Sequence, residues 1–372
     1  MNGLAGLLAV RPSPFHDRAA EHCLTNAWTR EGALTLVEVY TAVEEEYWAL
    51  SADAGLMDLS GRRAYRIKGP EAEQALEHML ATRIADLAPG QLREVIWCVD
   101  TGFIAGQGLI LREGTDAFVL VTEEAAGSWI ADSVTGFSCG VGDMSHGMAR
   151  LALVGPAAAA MLEAVGLSVA GKLEPKHFIV GNLRGLALGL ARTGEQAFEL
   201  WTVEAEARVL WDRVFRAGKP LGLKPVGTAA RTLLRLEAGQ PRLGVDYQSA
   251  LRAASWAEAV MPEAVGLSAC VDLTGRGGFV GRQALTAAPE PIRRLVRLSA
   301  NTAEPIGQAI LAGPDQKPLG YVTSSGYSPG TGSSVAFGWV ELPTEINGLM
   351  LVLPPHAASR GKVRRIDCAI LR

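Results

Sequence analysis

Two arginines spaced four residues apart are the first candidates for chemistry in this chain. Arg231 and Arg235 lie in the segment AARTLLRLEAG, residues 229–239. The alanines and leucines around them favour a helix. On that helix both guanidinium groups emerge on one face while Leu233 and Leu236 turn inward, so the spacing predicts a site for an anion. The same pattern also fits an ordinary amphipathic helix whose charged residues face solvent.

The other residue types that carry chemistry form no recognisable site. The six histidines and five cysteines show no metal-ligand spacing and no CxxC pair, so we predict no metal. The GxGxxG, P-loop, GxSxG and HExxH patterns do not occur. Ser145 and His146 are adjacent, but adjacency in sequence does not place a base against a hydroxyl. If the protein is an enzyme, we expect a cofactor to supply the reactive group.

Composition limits the class of partner. The chain has 372 residues, 48% of them hydrophobic and 20% charged, enough for two or three domains with their own cores. A net charge of -4 with scattered lysines and arginines argues against nucleic acid and acidic lipid as partners. No apolar run reaches the roughly 20 residues of a membrane span, and the odd number of dispersed cysteines favours a reducing compartment. We expect a cytoplasmic monomer or small homo-oligomer that binds a small-molecule substrate.

Short alternating segments and alanine-rich segments follow one another without a regular period, which predicts an α+β fold. The predicted strands are residues 63–69, 118–122 and 150–155, and the predicted helices are residues 71–80 and 156–166. Two segments, YRIKGPEAEQALEHML and LALVGPAAAAMLEAVG, each read strand, Gly-Pro, helix, and they predict a duplicated half-domain.

The C-terminal part has a different character. After the linker-like segment TAAPEPI, helix signals nearly vanish and strands with Gly, Pro and Ser turns take over from about residue 293. We therefore predict a bipartite α+β core over residues 1–285 and a C-terminal β-barrel or sandwich over residues 293–372.

Six segments in register along the chain together resemble one family. They are EEEYWALSADAGLMDLSG, APGQLREVIWCVDTGF, TGEQAFEL, KPVGTAARTLLRLEAGQPRLGVDY, PEAVGLSACVDLTGRGGFVGRQAL and LGYVTSSGYSP. Their order is similar to that in the aminomethyltransferase family, which includes the glycine-cleavage T-protein and tetrahydrofolate-dependent demethylases. The wording of the first two segments looks closest to the demethylase and sarcosine-oxidase-like branch.

The resemblance implies two related α+β domains plus a C-terminal β-barrel domain, arranged around a central channel that holds tetrahydrofolate. Arg231 matches the family arginine, and a planar guanidinium suits the carboxylates of the folate's glutamate tail. Glu195 of TGE matches the glutamate that faces the pterin ring. Arg192 replaces a tyrosine beside it and is also expected in the folate pocket. Arg235 either joins Arg231 or ties the helix to the core through Glu237.

The sequence departs from the family where the one-carbon unit would react. The family's pair of aspartates aligns with Gly106 and Gln107. Gln107 can donate and accept hydrogen bonds, but it cannot act as a general acid or base. Glu94 stands in place of a tyrosine, and Glu94 or Asp100 can take over the ionic role. We therefore expect Gln107, Glu94 and Asp100 to face the reacting centre, whereas we expect Glu199 of FEL to be structural.

These residues predict a tetrahydrofolate-dependent transferase of one-carbon (methyl or methylene) groups, or a demethylase, acting on a small O-, N- or S-methylated compound. A sulfonium or ammonium donor needs no acid and therefore suits a site without the aspartate. Two alternatives stay open. The chain is a catalytically altered member that binds folate without turnover, or it uses the channel for a folate-independent reaction.

Overall fold

The computed structural model describes residues 10–167, 175–190, 196–255, 258–274, 277–342, 348–354 and 364–371. The expected Arg192 and Glu195 lie outside these residues. The helices are α1 (His16–His22), α2 (Val43–Ala52), α3 (Ala72–Met79), α4 (Gly127–Ser133), α5 (Ala158–Val165), α6 (Ala207–Gly218), α7 (Thr228–Glu237) and α8 (Arg282–Thr286). Within this part of the chain no helix has the length and apolar character needed to cross a membrane.

The strands form four sheets. A small N-terminal sheet has the order β1-β3-β2, and it consists of β1 (Arg11–Pro12), β2 (Ala27–Glu31) and β3 (Leu34–Val39). The strands that follow are β4 (Gly55–Asp58), β5 (Arg63–Lys68), β6 (Leu92–Cys98), β7 (Ile104–Arg112), β8 (Ala117–Thr122), β9 (Gly140–Asp143), β10 (Met148–Val154), β11 (Lys176–Val180), β12 (Leu183–Leu190), β13 (Ala197–Val203) and β14 (Lys224–Pro225). They make two larger sheets.

The strand order of these two larger sheets shows the duplication that the sequence predicts. One sheet has the order β6-β7-β8-β5-β9 and the other β11-β12-β13-β10-β4-β14. The first four strands of each correspond in chain order, and β5 and β10 are each followed by a helix, α3 and α5. In the first of these sheets the fifth strand is β9, which follows the other four strands in the chain. In the second sheet the fifth strand is β4, which precedes the other four. The two repeats therefore share an architecture but not a complete chain order.

The glycine of each Gly-Pro turn allows the close packing that both repeats need. Gly69 and Gly155 have φ angles of +150° and +135°. A Cβ atom on Gly69 would lie 2.4 Å from the carbonyl oxygen of Ser138, and one on Gly155 would lie 2.6 Å from that of Asp53. Because these neighbours are backbone just before β9 and β4, only glycine fits at either turn.

The C-terminal residues form an antiparallel, barrel-like sheet of seven strands, as predicted. Its order is β20-β19-β16-β17-β18-β15-β21. The strands are β15 (Arg293–Ala300), β16 (Ile310–Ala312), β17 (Pro318–Ser328), β18 (Ser333–Glu341), β19 (Met350–Leu353), β20 (Arg364–Asp367) and β21 (Ala369–Leu371). The sheet is fixed to the core at Asp246, whose carbonyl oxygen accepts a hydrogen bond of 2.9 Å from Trp339 Nε1.

Helix α7 carries the two arginines and lies where the parts of the molecule meet. It packs against α2, β3, β17 and β18. Its start is fixed because the buried Glu46 carboxylate accepts a hydrogen bond of 2.7 Å from the backbone N–H of Gly227. Ala230, Leu233, Leu234 and Leu236 are buried. The side chains of Arg231 and Arg235 are only 15% and 12% exposed, so the interpretation of a helix with solvated arginines is wrong.

A comparison of two glycines tests the packing of the repeats. Gly155→Ala should destabilise the protein by more than Gly166→Ala, for which the left-handed conformation alone costs about 1–2 kcal/mol. Gly166 also has a positive φ, at +90°, but a Cβ there meets nothing within 4 Å. Urea unfolding of both variants measures the difference. Equal losses would show that the backbone contact at Gly155 is unimportant.

Candidate functional site

An inner cavity lies between the two repeats and α7. Its walls come from β7 and β8 of one repeat, from β10 and β13 of the other with β4, and from α7 and the segment after it. The volume is about 140 Å³. Its apolar lining, which comes from both repeats and from α7, consists of Met57, Leu59, Leu109, Val121, Ala152, Val154, Ala197, Phe198 and Leu234. The cavity is thus placed where both repeats contribute one wall each.

An outer cavity of about 610 Å³ adjoins the inner one. The two share Arg231, Thr232 and Arg242 as lining residues. The outer cavity is bounded by the N-terminal sheet, by α7 and by the Ser325–Pro329 region of the C-terminal part. Together the two volumes fall within the range of roughly 300–1,000 Å³ that is typical of small-molecule sites.

A chain of alternating charges, here called the ion-pair chain, runs along the polar side of the inner cavity. It consists of Arg231, Glu31, Arg242, Glu123, Arg62 and Glu199. Arg231 contacts Glu31 at 2.6 Å, and Arg242 pairs with both Glu31 and Glu123, the latter at 3.2 Å. Arg62 then bridges Glu123 and Glu199 at 3.0 Å each. The chain joins the N-terminal sheet, both repeats and α7.

Attraction within the ion-pair chain outweighs the effect of burial on the pKa of Glu31 and of Arg62. Burial by itself raises the pKa of Glu31, but Arg231 and Arg242 outweigh it and hold the pKa of Glu31 below its usual value. Burial likewise lowers the pKa of Arg62, whereas Glu123 and Glu199 raise it above its usual range. The polar side of the cavity therefore presents fixed charges of both signs.

Glu199 ends the ion-pair chain and is held in a single orientation. One oxygen, Oε1, accepts a hydrogen bond of 3.0 Å from Arg62, and Oε2 accepts one of 2.8 Å from the indole Nε1 of Trp201. The guanidinium of Arg150 stacks on the Trp201 ring at 4.8 Å. Burial lowers the pKa of Arg150 to about 10, although Glu199 acts against that change. Glu199 thus combines the expected structural contacts with a place in the cavity wall.

Gln107 lines the cavity and is bound on both sides. Its Oε1 accepts a hydrogen bond of 2.6 Å from the hydroxyl of Tyr247, and its Nε2 donates one of 2.8 Å to Glu94 Oε1. Glu94 is not among the residues that line the cavity. Of the two, Gln107 is the residue that a ligand in the cavity would meet.

Position 106 has no space for a side chain. A Cβ atom on Gly106 would lie 2.0 Å from Cζ2 of Trp97, whose buried indole fills that side of β7. No hydrogen-bond partner of the Trp97 Nε1 atom occurs among the residues that the structure describes. One position of the aspartate pair implied by the family resemblance is therefore closed in this chain by packing.

The remaining predicted residues lie in different surroundings. Asp100 is exposed in the turn between β6 and β7, where its Oδ1 accepts the N–H of Thr101, and it is absent from the cavity lining. The expectation that Asp100 faces the reacting centre does not fit this placement. Arg235 lines the cavity but pairs with Asp246 at 2.7 Å, not with Glu237. Arg231 lines both cavities while paired with Glu31.

Sequence reasoning missed most of the ion-pair chain. Glu31, Arg62, Glu123 and Arg242 are far apart in sequence, so their spacing carries no signal. Glu199 did carry a signal in the sequence, because a charged residue inside the apolar strand AFELWTV needs a buried partner. Where the structure describes the chain, no group of three or more His, Cys, Asp or Glu residues could hold a metal ion.

The cavities satisfy one test for an anionic, partly apolar ligand such as a folate. Among the described residues, Arg231 Nη1 has no hydrogen-bond partner and is buried, although Nη2 donates to Glu31. This guanidinium therefore keeps the capacity to bind a carboxylate next to Glu31. The apolar wall of the inner cavity suits a flat ring, and the oriented carboxylate of Glu199 suits ring N–H donors.

Comparisons with known proteins agree with this architecture. The family model "GCVT N-terminal domain" matches residues 15–267, and "Glycine cleavage T-protein C-terminal barrel domain" matches residues 293–365. The aminomethyltransferase of Streptomyces coelicolor is 31% identical over 316 residues, 81% of this chain and 82% of that protein. That of Moorella thermoacetica is 31% identical over 341 residues, 88% of each. The crystal structure of glycine cleavage system aminomethyltransferase T from Bartonella henselae covers 98% of this chain and 97% of that one, with a TM-score of 0.84 and 25% identity.

The ion-pair chain predicts a specific pH dependence of stability. Since the pKa of Glu31 is lowered in the folded protein, its contribution is complete above its unfolded pKa and is lost as pH falls through the folded pKa. Glu31→Gln should cost on the order of 3 kcal/mol near neutral pH, because it leaves two buried guanidinium groups short of a charge partner. The cost should shrink as pH falls below the usual carboxylate range. Urea unfolding across pH measures it, with the exposed Glu163→Gln as control; a cost independent of pH would contradict the assignment.

Proposed function

The chain belongs to the aminomethyltransferase family, and from that premise we propose that its cavities bind tetrahydrofolate for one-carbon transfer to or from a small methylated compound. The observation that carries the proposal is a cavity between the repeats with an apolar wall and, at its outer end, a buried guanidinium that has one unused nitrogen. We propose that the substrate is an O-, N- or S-methylated compound, as in the demethylase branch.

The residues of the chain would share the binding of the folate. Arg231 would bind the glutamate tail where the two cavities adjoin, and Arg192 and Glu195 would contact the ring from the segment that the structure leaves undescribed. Glu199 would offer a second carboxylate on the same wall. The apolar residues of β4, β10 and β13 would exclude water from the ring, which strengthens each polar contact in the cavity.

The contribution of each partner to the reaction can be divided. When bound, tetrahydrofolate would supply the nitrogen nucleophile for the methyl carbon; the leaving heteroatom would keep the electron pair of its bond to that carbon, and the proton lost from the nitrogen would go to water. Gln107 would face the reacting atoms and can offer hydrogen bonds but no acidic proton. Burial raises the pKa of Tyr247, with Glu94 and Asp246 adding to the effect, so its hydroxyl is a poor acid as well.

Folate binding through Arg231 is tested by calorimetry with two ligands. Arg231→Lys should weaken tetrahydrofolate binding about tenfold or more, because lysine lacks the bidentate geometry of a guanidinium. Binding of tetrahydropterin, which lacks the glutamate tail, should change little. The exposed Arg208→Lys serves as the matched control. Equal weakening of both ligands would assign Arg231 a purely structural role, and no binding of tetrahydrofolate by the unchanged protein would remove the folate proposal.

The class of one-carbon donor is tested by methyl transfer to tetrahydrofolate from matched pairs of compounds. Sulfonium and quaternary ammonium donors release neutral thioethers and amines as leaving groups. Ethers release alkoxides, which need a proton. We expect the onium donors to react at least about tenfold faster than neutral methyl ethers, since each missing 1.36 kcal/mol of acid assistance is a factor of ten. Reaction of the ethers alone would reject this preference. Folate binding without transfer from any donor would favour a protein that binds folate without turnover.

A further inference from the structure

The amide of Gln107 can adopt only one of its two orientations. In the observed orientation the carbonyl oxygen accepts from Tyr247 and the nitrogen donates to Glu94. A flipped amide would place its oxygen against the Glu94 carboxylate at the same 2.8 Å separation, so that two acceptor oxygens would face each other. Glu94 therefore decides the orientation, and Tyr247 completes it from the other side.

Both neighbours of Gln107 are themselves fixed by the fold. Glu94 lies on β6, where Ile96 pairs directly with Gln107 of β7, so Glu94 is its diagonal neighbour on the sheet. Tyr247 is 3% exposed and lies in a core cluster with Ile96 and Trp339. Tyr247 therefore cannot turn away without disturbing the core, whereas Glu94 is placed beside Gln107 by the strand pairing of β6 and β7.

The neighbouring position offers no substitute for Gln107. Trp97 fills the space that a side chain at Gly106 would need, so the cavity wall of β7 has its polar group at position 107. Within the described residues, the only carboxylate that is hydrogen-bonded to Gln107 is that of Glu94. Glu94 lies on the neighbouring strand β6 and does not line the cavity. The amide of Gln107 thus lines the cavity and the carboxylate of Glu94 does not, which is the reverse of a site whose acid faces the ligand.

We propose that Glu94 and Tyr247 are positioning residues that hold Gln107 in one orientation. The cavity wall then has no acidic proton donor at this position. Gln107 therefore makes the site select methyl donors whose leaving groups need no proton. The expected preference for one class of methyl donor rests on the proposed function. The fixed orientation of the Gln107 amide, here called the lock, concerns the protein without ligand.

An exchange of the two side chains tests the lock without ligand. Gln107→Glu alone brings two carboxylates together at about the present 2.8 Å, and Glu94→Gln alone lets the amide of Gln107 take either orientation, because a glutamine at position 94 can both accept and donate. Combined, the two substitutions restore a donor at position 94 facing a carboxylate at position 107, which Tyr247 can still bond. In urea unfolding of the ligand-free protein, Gln107→Glu should raise the unfolding constant more than about tenfold, and the double variant should recover most of it.

The same exchange tests the substrate consequence. It moves the carboxyl group into the cavity wall, so the ratio of ether to onium transfer should rise more than about tenfold, the amount that a positioned acid readily supplies. Both rates are compared at saturating tetrahydrofolate, because Gln107 lines the cavity and the exchange can change the folate affinity. Tyr247→Phe should lower kcat for the onium donor about tenfold while KM changes little, because it frees Gln107 at the reacting atoms only. The exposed Tyr321→Phe and Glu163→Gln are the matched controls.

The outcomes separate the lock from the proposed function. Recovery of stability in the double variant together with a raised ether ratio supports the inference. Additive destabilisation, or an unchanged ratio in a variant that binds folate normally, overturns it. If the unchanged protein fails to bind tetrahydrofolate, the proposed function fails, while the unfolding measurements still decide whether Glu94 and Gln107 are coupled.

Discussion

The ion-pair chain is the constraint on which the rest of the site depends. Each of its buried charges would be unfavourable alone, because removing a charged group from water costs several kcal/mol. Arg231, Glu31 and Arg242 meet at one end, and Arg62 and Glu199 meet at the other. Since the members come from the N-terminal sheet, both repeats and α7, satisfying them fixes the distances between these parts and therefore the width of the cavity.

The same arrangement explains how a rigid wall can remain available to a ligand. Every carboxylate in the ion-pair chain is paired with an arginine. No residue must therefore move to neutralise a charge before a ligand binds. Within the part of the protein that the structure describes, Arg231 nevertheless keeps one nitrogen without a partner. At the other end of the ion-pair chain, Glu199 is oriented by Arg62 and Trp201 and still lines the cavity. Such preorganised polar groups within an apolar enclosure are what a cofactor site requires.

The sequence predicted the architecture far better than the chemistry. The strand, Gly-Pro, helix pattern identified both repeats because Gly69 and Gly155 obey a local packing requirement that leaves a local signature. The segment of residues 229–239 was predicted as helical for a similar reason, since alanine and leucine favour helix locally, and α7 spans Thr228–Glu237. The partners of its arginines were not predicted, because Glu31 is 200 residues from Arg231 and Asp246 lies beyond the end of the helix. Asp100 illustrates the converse, since closeness in sequence to Gln107 did not bring it to the cavity.

The central claim is that a folate occupies the cavity between the repeats, and a crystal structure of the protein soaked with tetrahydrofolate tests it most directly. The account predicts the pterin against the apolar wall between Gln107 and Glu199, with the glutamate tail at Arg231 Nη1 and the ion-pair chain intact. A folate bound elsewhere, or a tail that leaves Arg231 paired with Glu31 alone, would contradict it.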